Sequence, residues 1–388
     1  MTMMIEVPSV RQDKFGFYQV GNFRTYSKFD AAGVAEKTNQ KLLWNFNNSA
    51  YESIDWKIEP IESLNELYRQ RAQQLREKYD YIVLWFSGGA DSTNVLDAFL
   101  KNNIKLDDVA TYVNYEATGD RFNFLNGEVY NVAIPRIEKA RELQPWLKHT
   151  MIDLSRLTMD HFQKKDTKFD WIYHMNGYYN PNNTSKQDIK LKVKHWRDMI
   201  NQGKRVCFVQ GIDKPRVHGI NGQYYFKFID MVDGAVSAHN QMANRPWEFD
   251  ELFYWSPDLP EIPIKQAHVV KRFLKQATST TDGITNVYHE GICTNTINGH
   301  IYALTMPKLH SLIYPHWYPV MYQAKASSLF FTPRDEWFFK LPDSDPAKYS
   351  WKVGLEYLWR TAPNILKVDP SNIQKGFKHL FCAYNIGM

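Results

Sequence analysis

Cysteine is scarce in this chain: three residues in 388, Cys207, Cys293 and Cys382, with no CxxC spacing among them. An odd, scattered set cannot build a disulfide framework and suits a reducing compartment. No stretch approaches the ~18 consecutive apolar residues of a membrane-spanning helix. The opening MTMMIEVPSVRQDKFGF also lacks a basic segment followed by an apolar one. The expectation is therefore a cytoplasmic protein with no membrane partner. Neither sign of charge dominates: 47 Lys and Arg against 42 Asp and Glu leave +5. That balance permits a phosphate-bearing partner without implying duplex DNA. Low-complexity tracts and internal repeats are missing too. Aromatic residues, by contrast, reach 15%, too many for long disordered segments. The length suits about two to three domains with a substantial core.

Hydrophobic patterning divides the chain into an N-terminal extension (1–60), an α/β domain (61–235) and a C-terminal accessory or substrate region (236–388). In the first part, FGFYQVGNFRTYSKF alternates enough for a short hairpin or edge strands. Ser63 followed by Glu66 fits a capping box, and Leu64, Leu67, Ala72, Leu75 and Tyr79 then recur at helical spacing, predicting a helix over 63–79. Next comes YIVLWF (81–86), an unalternating apolar run expected of a strand buried on both faces. Val95, Leu96, Phe99 and Leu100 mark the buried stripe of a following helix. Further strands are expected at 109–115, 149–154 and 204–211, the last preceded by a helix over 188–202, where IKLKVKHW is equally compatible with a strand. Repeated β-α alternation predicts an α/β fold with a doubly wound, mostly parallel, Rossmann-like sheet. Beyond residue 235 the rhythm fades. A Pro-rich stretch leads into a helix over 265–276, and the rest is expected to be irregular and mostly helical.

Chemistry concentrates in Ser87-Gly88-Gly89-Ala90-Asp91-Ser92-Thr93, between the apolar strand and the amphipathic helix. Two adjacent glycines can adopt positive φ and leave backbone N–H groups unobstructed, so the turn can wrap an anion. The helix aims its positive end at the same place, and Ser87, Ser92 and Thr93 add hydroxyls. Asp91 would repel a bare phosphate; its presence makes sense if a divalent cation, Mg²⁺ being the usual choice, bridges carboxylate and phosphate. No Lys follows the glycines at the spacing of GxxxxGK[ST], and GxGxxG is not matched either. A second constellation, Gly211-Ile212-Asp213-Lys214-Pro215-Arg216, follows the fourth strand. Carboxyl ends of strands line the ligand crevice of a doubly wound sheet, which puts this loop beside the first. There Lys214 and Arg216 can neutralise phosphate charge, and Asp213 can hold Mg²⁺ or an amine.

SGGADST resembles the PP-loop, the SGGxDS signature of N-type ATP pyrophosphatases of the adenine-nucleotide α-hydrolase (HUP) type. Asparagine synthetase, GMP synthetase, argininosuccinate synthetase and tRNA-thiolation enzymes share it. The match covers the loop with its flanking strand and helix, and the β-α order extends it over roughly 61–235. The segments YSKF, GIDKPRV and FYWSPDLPEIPIKQAH resemble phage-encoded PP-loop proteins, which implies the host cytoplasm. The resemblance implies ATP and Mg²⁺ as cofactors, with pyrophosphate held by Ser87, Gly88, Gly89 and Ser92 and the metal oriented by Asp91. It further implies adenine against the backbone of Tyr112 and Val113. An acceptor would be adenylated with loss of pyrophosphate, then take a nitrogen or sulfur group. A sulfonucleotide reductase-like enzyme and a non-catalytic nucleotide-binding module are the alternatives. Thr2 stands where type II amidotransferases carry their cysteine, and Cys382 in LFCAYNIG matches the reductases' Glu-Cys-Gly segment poorly.

Three weaker constellations complete the candidates. Tyr254, Asp258, Lys265 and His268 surround the Pro-rich turn and a helix start, a place to receive a small-molecule or nucleobase acceptor or supply a general base. Lys186, Lys190, Lys192, Lys194 and Arg197, with Trp171, Tyr178 and Tyr179 nearby, form a stripe able to track a nucleic-acid backbone, although such runs are usually solvated helix faces. His289, Cys293 and His300, with His310 or His316, match no established zinc spacing.

Overall fold

The computed structural model describes residues 14–120, 123–163, 172, 180–184, 189–220, 222–230, 247–277, 284–286, 294–297, 300–318, 335–367 and 379–388. Its first strands are β1 (Phe17–Val20) and β2 (Phe23–Thr25), the expected hairpin, and β3 (Leu42–Asn45) pairs antiparallel to β1. The next helix runs Leu64–Lys78, and its start is set by Ser63, whose hydroxyl accepts from the Glu66 backbone N–H. That contact satisfies one of the amides a helix N-terminus leaves open.

β4 (Tyr81–Trp85) carries Ile82, Val83 and Leu84 with no exposed surface. A segment apolar on both faces finds its lowest free energy inside a sheet rather than at its edge. Accordingly β4 lies in the middle, with β5 (Asp108–Val113), then β6 (Lys148–Asp153), on one side and β7 (Val206–Gln210) on the other. These three match the strands expected at 109–115, 149–154 and 204–211. Between them IKLKVKHW folds as helix, Ile189–Lys192 and Lys194–Asn201, resolving the ambiguity in that segment.

After β7 the chain forms the antiparallel hairpin β8 (Arg216–Ile220) and β9 (Gln223–Ile229). It then returns as β10 (Glu248–Leu252), parallel to β7, completing an all-parallel five-stranded sheet ordered β10-β7-β4-β5-β6. Numbered by appearance and read from the far edge, that order is 3-2-1-4-5, compatible with a Rossmann-like fold. β10 lies beyond residue 235, in the region assigned to the accessory part. Its sequence, EFDEL, hides it: Glu248, Asp250 and Glu251 are buried charges rather than an apolar run. Asp250 pairs with the Lys190 ammonium at 2.5 Å and Glu248 with the same group at 3.2 Å.

The described C-terminal residues include the helices Glu261–Gln276, Met306–Ile313 and Pro346–Thr361, but they are not simply helical. β11 (Ile284–Asn286), β12 (Thr294–Ile297) and β13 (His300–Leu304) form an antiparallel sheet, and β14 (Phe381–Asn385) pairs with β9. The high aromatic content is explained here. Trp44, Phe46, Tyr51 and Trp56 of the N-terminal extension pack with Phe226, Phe228, Trp255 and Tyr384 in one buried cluster. Full burial of such a ring contributes about 1.5–3 kcal/mol, so the extension is part of the core. Among the described residues no helix is long and apolar enough to cross a membrane.

Candidate functional site

β4 is followed by Phe86, still buried, and then by the turn Ser87-Gly88-Gly89 leading into the helix Ala90–Leu100. Gly88 sits at φ +81°, and a Cβ there would lie 2.9 Å from the Ala133 backbone nitrogen. Glycine is therefore required twice, for conformation and for space. No side chain caps the helix, and its ladder opens with the Thr93 N–H donating to the Gly89 carbonyl at 3.0 Å. Geometry gives the amides of Ala90, Asp91 and Ser92 no intrahelical acceptor, at the end of the helix that carries partial positive charge. The hydroxyls expected to reach a phosphate brace the turn instead. Ser92 Oγ accepts from the Ser87 N–H (3.3 Å) and donates to the Gly89 carbonyl (3.2 Å). Ser87 Oγ accepts from the Gly89 N–H (3.2 Å), and Thr93 Oγ1 donates to the Gly88 carbonyl (3.4 Å).

The Gly211–Arg216 loop leaves β7, and its first residue packs on this turn. A Cβ at Gly211 would stand 3.2 Å from the Asp91 carbonyl group and 3.3 Å from the Ser92 nitrogen. Both neighbours are backbone and cannot swing aside. Gly211→Ala is expected to destabilise the protein by about 1–3 kcal/mol through overpacking, read as a shift in the urea midpoint. An unchanged midpoint would mean the two loops are not in contact.

Across that contact Lys214 Nζ lies 2.5 Å from Asp91 Oδ2, and Arg216 pairs with Asp213 at 3.0 Å. The helix Met306–Ile313 adds two residues that sequence reasoning did not place here. Tyr314, just past its end, donates its hydroxyl to Asp91 Oδ1 at 2.5 Å. His310 stacks on the Tyr314 ring at 5.5 Å, with Nε2 3.8 Å from the same oxygen. Tyr254 donates to the Asp91 carbonyl (2.8 Å) and accepts from Asn94 Nδ2 (3.0 Å). Burial works to raise the Asp91 carboxyl, but the Lys214 charge, His310 and two hydrogen bonds outweigh it and hold it below the usual range. Burial alone would lower the Lys214 ammonium, and the charges of Asp91 and Asp213 reverse that and raise it. Burial brings His310 down to about 4, leaving it neutral at physiological pH.

Tyr112 and Val113 stand at the carboxyl end of β5, beside β4, with the Tyr112 ring stacked on Trp85 at 5.1 Å. Of the four residues grouped around the Pro-rich turn, the structure brings only Tyr254 to the loop. Asp258 pairs with Lys78 (3.2 Å) and Arg71 (3.6 Å). Lys265 binds Glu59 and the Pro60 carbonyl, both at 2.8 Å, and His268 binds the Trp56 carbonyl at 2.9 Å. Lys265 and His268 are drawn away because their helix, Glu261–Gln276, spends these polar positions anchoring residues 56–60 of the extension, whereas Asp258, which precedes that helix, is taken by the helix Leu64–Lys78.

Of the basic stripe, Lys190 does not face solvent but is buried against Asp250 and Glu248, while exposed Lys194 pairs with Asp198. Lys186, Trp171, Tyr178, Tyr179, His289 and Cys293 lie outside the described residues. Among the described residues no group of three or more His, Cys, Asp or Glu side chains is placed to hold a metal ion. At Asp91, to which a magnesium role is implied, each carboxylate oxygen already accepts a hydrogen bond, one of them from the Lys214 ammonium, so a cation at that oxygen would compete with a positive charge already in place. The chain matches no protein-family profile and no curated protein sequence.

Proposed function

We propose that the chain is an ATP pyrophosphatase of the PP-loop kind, on a sheet of the adenine-nucleotide α-hydrolase (HUP) type. One observation carries this. The glycine turn after the first parallel strand and the cationic loop after the fourth meet where the winding direction reverses, joined through Asp91 and Lys214. Open α/β sheets bind ligands at that point. The β,γ-pyrophosphate of ATP lies on the free amides of the turn, adenine runs beside Tyr112 and Val113, and the α-phosphate faces Lys214 and Arg216. An oxygen of the acceptor, a small molecule or nucleobase, attacks the α-phosphorus, and the bond to the bridging oxygen breaks to release pyrophosphate. A nitrogen or sulfur nucleophile then displaces AMP from the adenylated acceptor. The protein's part is positioning, plus preorganised positive charge where negative charge develops.

The sulfonucleotide reductase alternative needs a reactive thiolate in the crevice. Cys207 is fully buried within β7 with its thiol pushed up by burial, and burial takes the Cys382 thiol up to about 12. Neither described cysteine has that character. Incubation with ATP, Mg²⁺ and candidate acceptors, followed by nucleotide chromatography, tests the proposal. AMP and pyrophosphate are expected in equal amounts. ADP with phosphate overturns it, and ATP binding with no turnover for any acceptor points instead to a non-catalytic nucleotide-binding module.

A further inference from the structure

We propose that the Lys214 ammonium permanently occupies the cation position at Asp91, so that Asp91 is an internal counter-ion rather than a metal ligand and the loop takes a pyrophosphate group without a divalent cation. Three observations on one carboxylate lead there. Lys214 Nζ sits 2.5 Å from Oδ2, the Tyr314 hydroxyl sits 2.5 Å from Oδ1, and His310 Nε2 covers Oδ1 at 3.8 Å. A hard dication bound to either oxygen at about 2 Å would have to compete there with the Lys214 ammonium or the Tyr314 hydroxyl. If Lys214 stayed, the dication would lie beside a like charge in a half-buried site. Asp213, on the same loop as Lys214, is itself held by Arg216 at 3.0 Å.

Asp91 also has a sufficient role without metal. Its charge lies in the first turn of the helix Ala90–Leu100, where a negative side chain is stabilising, and it fixes the Lys214 ammonium beside the free amides. Lys214 then supplies next to the phosphate oxygens the positive charge that a metal would bring. The first half of this proposal stands on the Asp91 contacts alone; the pyrophosphate half rests on the phosphate-binding reading of the loop.

Two measurements on the full chain separate those halves. Mn²⁺ binding, followed by electron paramagnetic resonance, is expected to detect no Mn²⁺ site at Asp91 in the wild type. Lys214→Met is expected to create one, and Asp91→Asn in the same background to remove it. A wild-type Mn²⁺ site that Asp91→Asn abolishes overturns the proposal. Calorimetry with inorganic pyrophosphate is expected to give affinities within about threefold of each other in Mg²⁺ and in EDTA. Lys214→Met should weaken binding tenfold or more. Binding seen only with Mg²⁺ and lost in Asp91→Asn also overturns it. Absence of pyrophosphate binding in both conditions removes the phosphate reading of the loop and with it the pyrophosphate half, while the Mn²⁺ titration still decides the Asp91 half. Far-UV circular dichroism of each variant verifies that it is folded.

Discussion

Gly88→Ala is expected to lower stability by about 2–5 kcal/mol and to abolish the nucleotide binding proposed for the turn. Two independent costs add. A residue with a Cβ held at φ +81° sits in the left-handed region, which costs about 1–2 kcal/mol. The new methyl would then stand 2.9 Å from the Ala133 nitrogen and 3.2 Å from its Cα and Cβ. Those are backbone and near-backbone atoms of a helical segment, so the turn itself must move, and overpacking of this kind costs about 1–3 kcal/mol. The displaced turn can no longer hold the first amides of the helix Ala90–Leu100 in place. Urea unfolding and calorimetric titration with ATP measure the two effects. A stability change under about 0.5 kcal/mol with unchanged ATP affinity would show that the turn does not have this conformation.

The second large effect is expected far from the crevice. Glu251 of β10 is 1% exposed and accepts hydrogen bonds from Arg71 at 2.8 Å, Lys78 at 3.2 Å, Lys14 and the Tyr79 hydroxyl. Arg71 is equally buried. Glu251→Gln keeps the shape but leaves buried cations uncompensated, and breaking a buried pair from one side costs about 3–5 kcal/mol. Burial works to raise the Glu251 carboxyl, but Lys14, Arg71 and Lys78 outweigh it and hold it far below its ordinary 4.5. A carboxyl with a depressed folded-state pKa adds stability that is fully present above the unfolded value and is lost as pH falls below it. Wild-type stability should therefore drop steeply below about pH 4.5, and the Glu251→Gln curve should be flatter by one proton over that range. Parallel curves would assign the acid sensitivity to other groups. His310 acts in an adjoining window. Its pKa falls from 6.5 to about 4 on folding, so its contribution is complete above pH 6.5 and fades towards pH 4.

The carboxyl-end loops were legible because their signals are local. YIVLWF is apolar throughout, SGGADST combines two glycines with a helix start, and Val95, Leu96, Phe99 and Leu100 repeat at helical spacing. Each property acts through neighbours in the chain, and the strand, turn and helix follow at nearly the expected residues. β10 was not legible, since its Glu248, Asp250 and Glu251 resemble a solvated segment until Lys190 and Arg71, 58 and 180 residues away, are brought against them. Tyr314 and His310 were equally hidden. LHSLIYPHWYP offers many aromatic and imidazole groups, and nothing local selects the two that meet an aspartate 223 and 219 residues earlier in the chain.

Hydrophobic period, glycine placement and strand–turn–helix order, all short-range properties of the backbone and its immediate side chains, were enough by themselves to establish a parallel α/β sheet and a glycine turn at its carboxyl edge. Which charges face which was decided only by the tertiary structure. Burial removes water as the alternative partner, so a charge such as Lys190 or Glu251 must be matched by whatever opposite group the fold delivers. That delivery joins Lys214, Tyr314 and His310 at one carboxylate, sends Asp258, Lys265 and His268 to structural duty elsewhere, and sets the cation that the candidate site presents.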